Sequence, residues 1–188
     1  MAHSPTEHVI RLFDQKGQCR YGSEQVSQLQ HALQCAVLAK RQGASSAMIA
    51  AALLHDLGHI IDDHAIPHSD EQNLDDAHEQ RAYGWIKKHF GKSVADPVRL
   101  HVAAKRYLCT VEPEYMAKLS PASLKSFYDQ GGLMSQSQLD DFRDEPMAFE
   151  AVELRRWDDL AKDPHMQTPP LEEFAPLLDR LVEDNIAG

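Results

Sequence analysis

Cysteine is scarce in this chain: Cys19, Cys35 and Cys109 are odd in number and widely spaced. They form neither a Cys-x-x-Cys metal knuckle nor a disulfide framework, and read as small buried hydrophobes in a reducing compartment. Basic residues are also few. Nineteen Lys and Arg against 29 Asp and Glu leave a net charge of −10. With no basic stripe, such a surface repels a nucleic-acid backbone, so no nucleic-acid partner is expected. No uncharged apolar run approaches the roughly 18 residues of a membrane span. The opening Met1-Ala-His-Ser-Pro-Thr-Glu-His lacks the basic start and apolar run of a signal peptide. A cytoplasmic protein with no membrane partner is therefore expected. Nor does any stretch alternate like a strand, and no repeat or low-complexity linker divides the chain.

What is present is helical patterning in a chain of 188 residues, of which 43% are hydrophobic. The length suits a single domain, here residues 1–188, able to bury one core unaided. Val9, Ile10 and Phe13 start a short helix. Val26, Leu29, Leu33, Val37 and Leu38 form the apolar stripe of a longer one over Ser23 to Gln42, closed by Gly43. Ser45 and Ser46 cap the next, Ala47 to His59, which is apolar nearly all round and so reads as buried and central. Further helices are expected over Asp75–Phe90, Ala95–Leu108, Ala148–Lys162 and Leu171–Glu183, with shorter segments between Pro113 and Pro146. The fold class is all-α.

Histidine is the unusual component, with 11 residues. His55-Asp56-Leu57-Gly58-His59 ends the most apolar helix, where burying imidazole and carboxylate is costly unless something binds them. His31, His78, His101 and Asp158 each fall on a different expected helix, as ligands converging in a bundle core do. Four His and two Asp exceed the four ligands of a structural zinc. They suit two metals sharing a carboxylate, with Asp56 the natural bridge. A nitrogen and oxygen ligand set accommodates iron, manganese, zinc or magnesium.

The order H…HD…H…H…D resembles the HD-domain superfamily of metal-dependent phosphohydrolases and oxygenases. Six further stretches are similar to one branch of it, the mixed-valence diiron oxygenases that cleave organophosphonates. These are Tyr21-Gly-Ser-Glu24, Gln30-His-Ala-Leu-Gln-Cys-Ala36, Leu54-His-Asp-Leu-Gly-His59, His101-Val-Ala-Ala-Lys-Arg-Tyr-Leu108, Gln130-Gly-Gly-Leu-Met134 and Arg156-Trp-Asp158. The similarity runs from about Phe13 to about Lys162. It implies an HD-domain helical bundle with a dinuclear site in its core. His31, His55, Asp56 and Asp158 would hold one iron, and His78 and His101, with Asp56 bridging, the other. It also implies an Fe(II)/Fe(III) pair with O2 as co-substrate. Tyr21 then resembles the residue that occupies the second iron before substrate arrives, and Glu24 the one that meets the substrate's ammonium group. His59, Lys105, Ser123 and Arg155 resemble the contacts to the phosphonate oxygens.

The residues themselves add to this. Lys105 lies one turn after His101 on the same helix face, and a cation beside an open metal position suits an anionic phosphonate; the alternative is a solvated surface lysine. Tyr21 and Glu24 are one turn apart at an expected helix start and could face one ligand; alternatively Glu24 meets the helix dipole. Gly131-Gly132 reads as a turn and Trp157 as core. Where the branch has an aromatic segment before its third histidine, this chain has the acidic His68-Ser-Asp-Glu-Gln-Asn-Leu-Asp-Asp76, and Leu133 replaces a proline. Those acids either cap the next helix or line a pocket for a fixed cation, which tips the substrate toward the N-trimethyl form. The expected enzyme is thus an oxygen-dependent C–P cleaving dioxygenase of a (1-hydroxy-2-aminoethyl)phosphonate, yielding phosphate plus glycine betaine, or glycine if the amine is free. The rivals are a hydrolytic HD enzyme acting on a nucleotide or phosphate monoester, and a non-catalytic HD scaffold.

Overall fold

A computed structural model describes residues 4–61 and 77–187, the side chains of 77–81 excepted. Helix α1 (Pro5–Lys16) opens on a reciprocal cap: the Ser4 hydroxyl accepts from the Glu7 N–H while the Glu7 carboxylate accepts from the Ser4 N–H. Helix α2 (Gln28–Arg41) repeats the device with Ser27 and Gln30. It therefore starts five residues later than the apolar stripe implies. Residues 20–27 instead fold into a tight loop, in which the Tyr21 N–H donates to Val26 O and the Glu24 N–H to Tyr21 O, each at 2.9 Å. Tyr21 and Glu24 consequently sit on a loop and not at a helix start.

Helix α3 (Ser46–Leu54) is capped by Ser45, and Met48 to Leu54 are all buried. Its alanines, Ala50, Ala51 and Ala52, are fully buried, and such small side chains let α2 and the later helices approach closely. The expected continuation to His59 does not occur. His55 Nδ1 takes the Ala52 carbonyl at 2.9 Å, the acceptor that a continuing helix would need, and Leu57–His59 forms a separate 3₁₀ turn. Burial of Leu53 and Leu54, worth about 1.5–3 kcal/mol each, holds the end of α3 in place.

Helices α4 (Ala77–Phe90), α5 (Lys92–Val111), α6 (Pro113–Met116), α7 (Pro121–Asp129), α8 (Gln136–Arg143) and α9 (Ala148–Leu160) follow. A 3₁₀ turn, Leu171–Phe174, leads into α10 (Ala175–Ala187). The long α5 lies along α9, and α3 packs on α2, α5, α9 and α10. Histidine-bearing segments thus meet around the end of α3. Among the described residues there is no strand, only an isolated bridge between Arg20 and Ser27. No helix among them is long and apolar enough to cross a membrane.

Gly131 and Gly132 close α7 with φ of 101° and 64°, left-handed backbone that favours glycine. The expected turn is there, and Arg106 Nε donates to Gly132 O at 2.9 Å to hold it. Trp157 is core, 3% exposed, with its indole N–H on Gln42 Oε1 at 2.8 Å.

Candidate metal centre and substrate pocket

Three imidazoles are fixed by the backbone before any ligand is considered. His31 Nδ1 meets Ala161 O at 2.8 Å, His55 Nδ1 meets Ala52 O at 2.9 Å, and His101 Nδ1 meets Val98 O at 2.6 Å. A carbonyl only accepts, so each Nδ1 carries the proton and each Nε2 turns inward as a potential ligand, the arrangement typical of metal-binding histidines. All three rings are buried.

The inward atoms converge. His31 Nε2 lies 3.2 Å from His55 Nε2, 3.4 Å from Asp158 Oδ1 and 3.6 Å from Asp56 Oδ2. His55 Nε2 is 3.3 Å from the same Asp56 Oδ2. Donors bonded at about 2.1 Å to one cation stand roughly 3.0–3.4 Å apart, so this spacing fits a metal. The other carboxylate oxygen, Asp56 Oδ1, faces His101 Nε2 at 3.8 Å and His59 Nε2 at 3.6 Å. Asp56 thus offers one oxygen to each side, as a bridging ligand must.

Two details make the fit chemical as well as geometric. Asp56 Oδ2 is buried and accepts no hydrogen bond, a costly condition that a cation relieves. Two bare Nε2 lone pairs 3.2 Å apart repel unless a proton or a metal lies between them. In the metal-free protein a proton does: burial pulls the His55 pKa down, but Asp56 more than offsets it and raises it to about 9. Burial and the neighbouring His55 push His101 down to about 4, leaving it neutral. Asp56, although burial opposes it, is held well below the usual carboxylate range by His55, His59 and His31.

Cys35 joins His31 and His55 in a buried group whose ligand atoms lie within 4.8 Å of one another. Burial, reinforced by Asp158 and Asp56, pushes its thiol well above the ordinary value. Without a metal this disfavours the thiolate, the form in which a cysteine binds a metal.

Asp158 is steadied from behind. Arg155 Nη1 donates to Asp158 Oδ2 at 2.5 Å, Nη2 to Asp159, and Nε to Tyr115 Oη at 3.1 Å. Tyr115 in turn donates to Asp159. Arg155 is 4% exposed, and despite burial the two aspartates hold its pKa well above normal. The Tyr21 ring stacks on His31 with centroids 3.9 Å apart, and its hydroxyl lies 3.5 Å from Asp158 Oδ1. Burial and the charges of Asp158 and Asp56 raise the Tyr21 pKa well above its usual value, keeping the phenol protonated.

Beside these atoms is a cavity of about 280 Å³ lined by Tyr21, Glu24, His55, Asp56, His59, His101, Lys105, Ser123, Arg155 and Asp158, with Ser126, Gln130 and Lys162 among the others. Lys105 is 2% exposed and donates to Ser126 Oγ at 2.6 Å, so it is no solvated lysine. Of the expected site residues with described side chains, all but His31 line this cavity, and His31 touches it through Asp56 and Asp158. The side chain of His78, and the acidic run His68–Asp76, lie outside the described residues.

The HD-domain family pattern matches residues 29–163. The chain belongs to the HD-domain family. Within it, the chain is 44% identical over 182 residues to the hydroxymethylphosphonate dioxygenase of Gimesia maris, covering 93% of this chain and 88% of that protein. It is 35% identical to the glycine-betaine-forming [1-hydroxy-2-(trimethylamino)ethyl]phosphonate dioxygenase of Leisingera caerulea, covering 97% and 92%. This HD domain therefore shares nearly its whole length with relatives named as phosphonate dioxygenases.

The sequence pattern did not single out Lys162, which lines the cavity, or Ser120, whose hydroxyl donates to Glu24 Oε1 at 2.7 Å. Lys162 lies four residues beyond Asp158, which would put both on one side of the expected Ala148–Lys162 helix, although α9 ends at Leu160 and Lys162 follows its C-cap. Ser120 carries a weaker signal, as the cap before Pro121.

Proposed function

We propose that this HD-domain protein is an oxygen-dependent dioxygenase that cleaves the C–P bond of 1-hydroxyalkylphosphonates. Both relatives' names share that substrate unit, a hydroxyl and a phosphonate on one carbon. The observation that carries the reading is the two-sided Asp56 carboxylate beside a buried cationic pocket. Nitrogen donors approach each of its oxygens, while Lys105, a buried cation, lines the adjoining cavity.

In this reading His31, His55, Asp56 and Asp158 would hold one iron, and His78 and His101, together with Asp56, the other. The mixed-valence iron pair, when bound, supplies O2 activation and the electron transfer. Lys105, Ser123 and His59 bind the phosphonate oxygens, charge and hydrogen bonds orienting the C1 carbon toward the centre. Arg155, with its Nη and Nε donors on Asp158, Asp159 and Tyr115, keeps Asp158 ionised and aimed while completing the cationic side of the pocket. Tyr21, stacked on His31 with its hydroxyl 3.5 Å from Asp158 Oδ1, would border the metal pair where substrate takes its place, and Glu24 borders the C2 side. The reaction balances as HO–CHR–PO3H2 + O2 → R–COOH + H3PO4: the C–P bond breaks, C1 is oxidised to a carboxylic acid and O2 is reduced by four electrons.

The test is an oxygen electrode with phosphate release followed in parallel, on protein reconstituted with iron anaerobically. One O2 consumed per phosphate released, together with the paramagnetic signal of a coupled Fe(II)/Fe(III) pair, is expected. Phosphate release at full rate without O2 would instead assign hydrolysis by a metal-bound hydroxide.

A further inference from the structure

Glu24 lines the cavity as the acceptor that a cationic substrate nitrogen would seek, but its charge is already answered. Its Oε1 accepts from Ser120 Oγ at 2.7 Å and lies 3.9 Å from Lys162 Nζ. Lys162 is fixed there, donating to Ser123 Oγ at 2.9 Å, with its side chain 12% exposed and that of Glu24 19%. Its other acidic neighbour, Asp159 at 3.8 Å, is already committed to Arg155 and Tyr115. The carboxylate and the ammonium lie largely out of water in one cavity, where their interaction is stronger than on a surface.

We propose that Lys162 is a specificity-determining residue: it serves as the internal counter-ion of Glu24, so that the pocket selects 1-hydroxyalkylphosphonates without a cationic nitrogen on C2. This inference rests on the dioxygenase reading above. An ammonium or trimethylammonium arriving at Glu24 would stand beside the Lys162 cation, and the repulsion discriminates against it. A substrate with hydrogen or an uncharged group in that place meets no such penalty. Hydroxymethylphosphonate, the substrate named for the 44% identical relative, is the smallest member of that class.

The test compares kcat/KM of the iron-loaded enzyme for hydroxymethylphosphonate, 2-amino-1-hydroxyethylphosphonate and 1-hydroxy-2-(trimethylamino)ethylphosphonate. The native enzyme prefers the first. Lys162→Met shifts the ratio toward the two cationic substrates by about tenfold, the size of one partly screened charge interaction, and Lys162→Arg keeps the native order. A native preference for either cationic substrate overturns the proposal without any variant. So does a Lys162→Met enzyme that loses the same factor on all three, since Lys162 would then be a phosphonate contact. Anaerobic calorimetry ranks the same three ligands by affinity, independently of turnover. Tighter binding of hydroxymethylphosphonate with no O2 uptake sinks the dioxygenase reading while sustaining the role of Lys162; tighter binding of a cationic ligand sinks the role of Lys162.

Discussion

Substituting Asp56 by alanine tests the proposed metal centre directly, because both metal positions would share that one carboxylate. In the native protein Asp56 Oδ2 lies 3.3 Å and 3.6 Å from two imidazole nitrogens without accepting a hydrogen bond, and Oδ1 faces His101. A cation present at 100 to 1,000 times its dissociation constant stabilises the fold by about 2.7–4.1 kcal/mol. For a domain of this length that corresponds to a rise in Tm of roughly 5–15 °C. Thermal unfolding followed by circular dichroism, with metal stripped by a chelator and then restored as Fe(II) or Mn(II) under argon, reads this difference. The native protein shows the rise. Asp56→Ala abolishes it and retains almost no metal by elemental analysis. Lys105→Ala, which removes a pocket cation and no ligand, keeps both the metal and the rise but binds phosphonate at least about tenfold more weakly. A full metal-dependent rise in Asp56→Ala, or none in the native protein, would refute the bridged centre; unchanged phosphonate affinity in Lys105→Ala would refute the placement of the anion pocket.

Arg155→Met strips the buried Asp158 of its arginine partner and leaves the half-buried Asp159 with Lys162 as its remaining cation at 3.8 Å, which costs about 3–5 kcal/mol in the metal-free protein, a fall in Tm of roughly 6–20 °C. A fall of under about 2 °C, less than about 1 kcal/mol, would show that the pairs contribute little. Metal loading also depends on pH. His55 keeps its proton up to about pH 9 when no metal is bound, and a cation must displace that proton. Apparent affinity therefore climbs with pH by about tenfold per unit for the one proton released and levels off once His55 is neutral without metal. His101, lowered to about 4, adds no proton in that range. Competition against a chromophoric chelator measures the slope; an affinity independent of pH between about 7 and 8 would contradict the assigned charge of His55.

Much of this was legible in the chain itself. Periodic apolar residues placed every long helix, and Ser45 marked the start of α3 as expected. His31, His55, Asp56, His101 and Asp158 stood out because polar groups on separate apolar helices need a common reason to be buried. What escaped were features decided by local competition for hydrogen bonds or by contacts across the chain. The stripe through Val26 ran past the true helix start because Ser27 and Gln30 cap each other. The end of α3 depended on a ring nitrogen claiming a backbone carbonyl. Lys162 beside Glu24 spans 138 positions, and no spacing rule along one helix reveals such a pair. Arg155 matched a substrate contact, yet much of its hydrogen bonding goes to Asp158, Asp159 and Tyr115.

The closure of α3 by His55 has one more consequence. The last carbonyls of a helix carry the negative end of its dipole, and α3 delivers that end into the nest of imidazoles, where it favours a positive ion before any side-chain charge is counted. The same ring satisfies one of those carbonyls and would also grip the ion. Replacing His55 should therefore fray the final turn of the most deeply buried helix as well as remove a ligand, coupling the integrity of the core to occupancy of the centre.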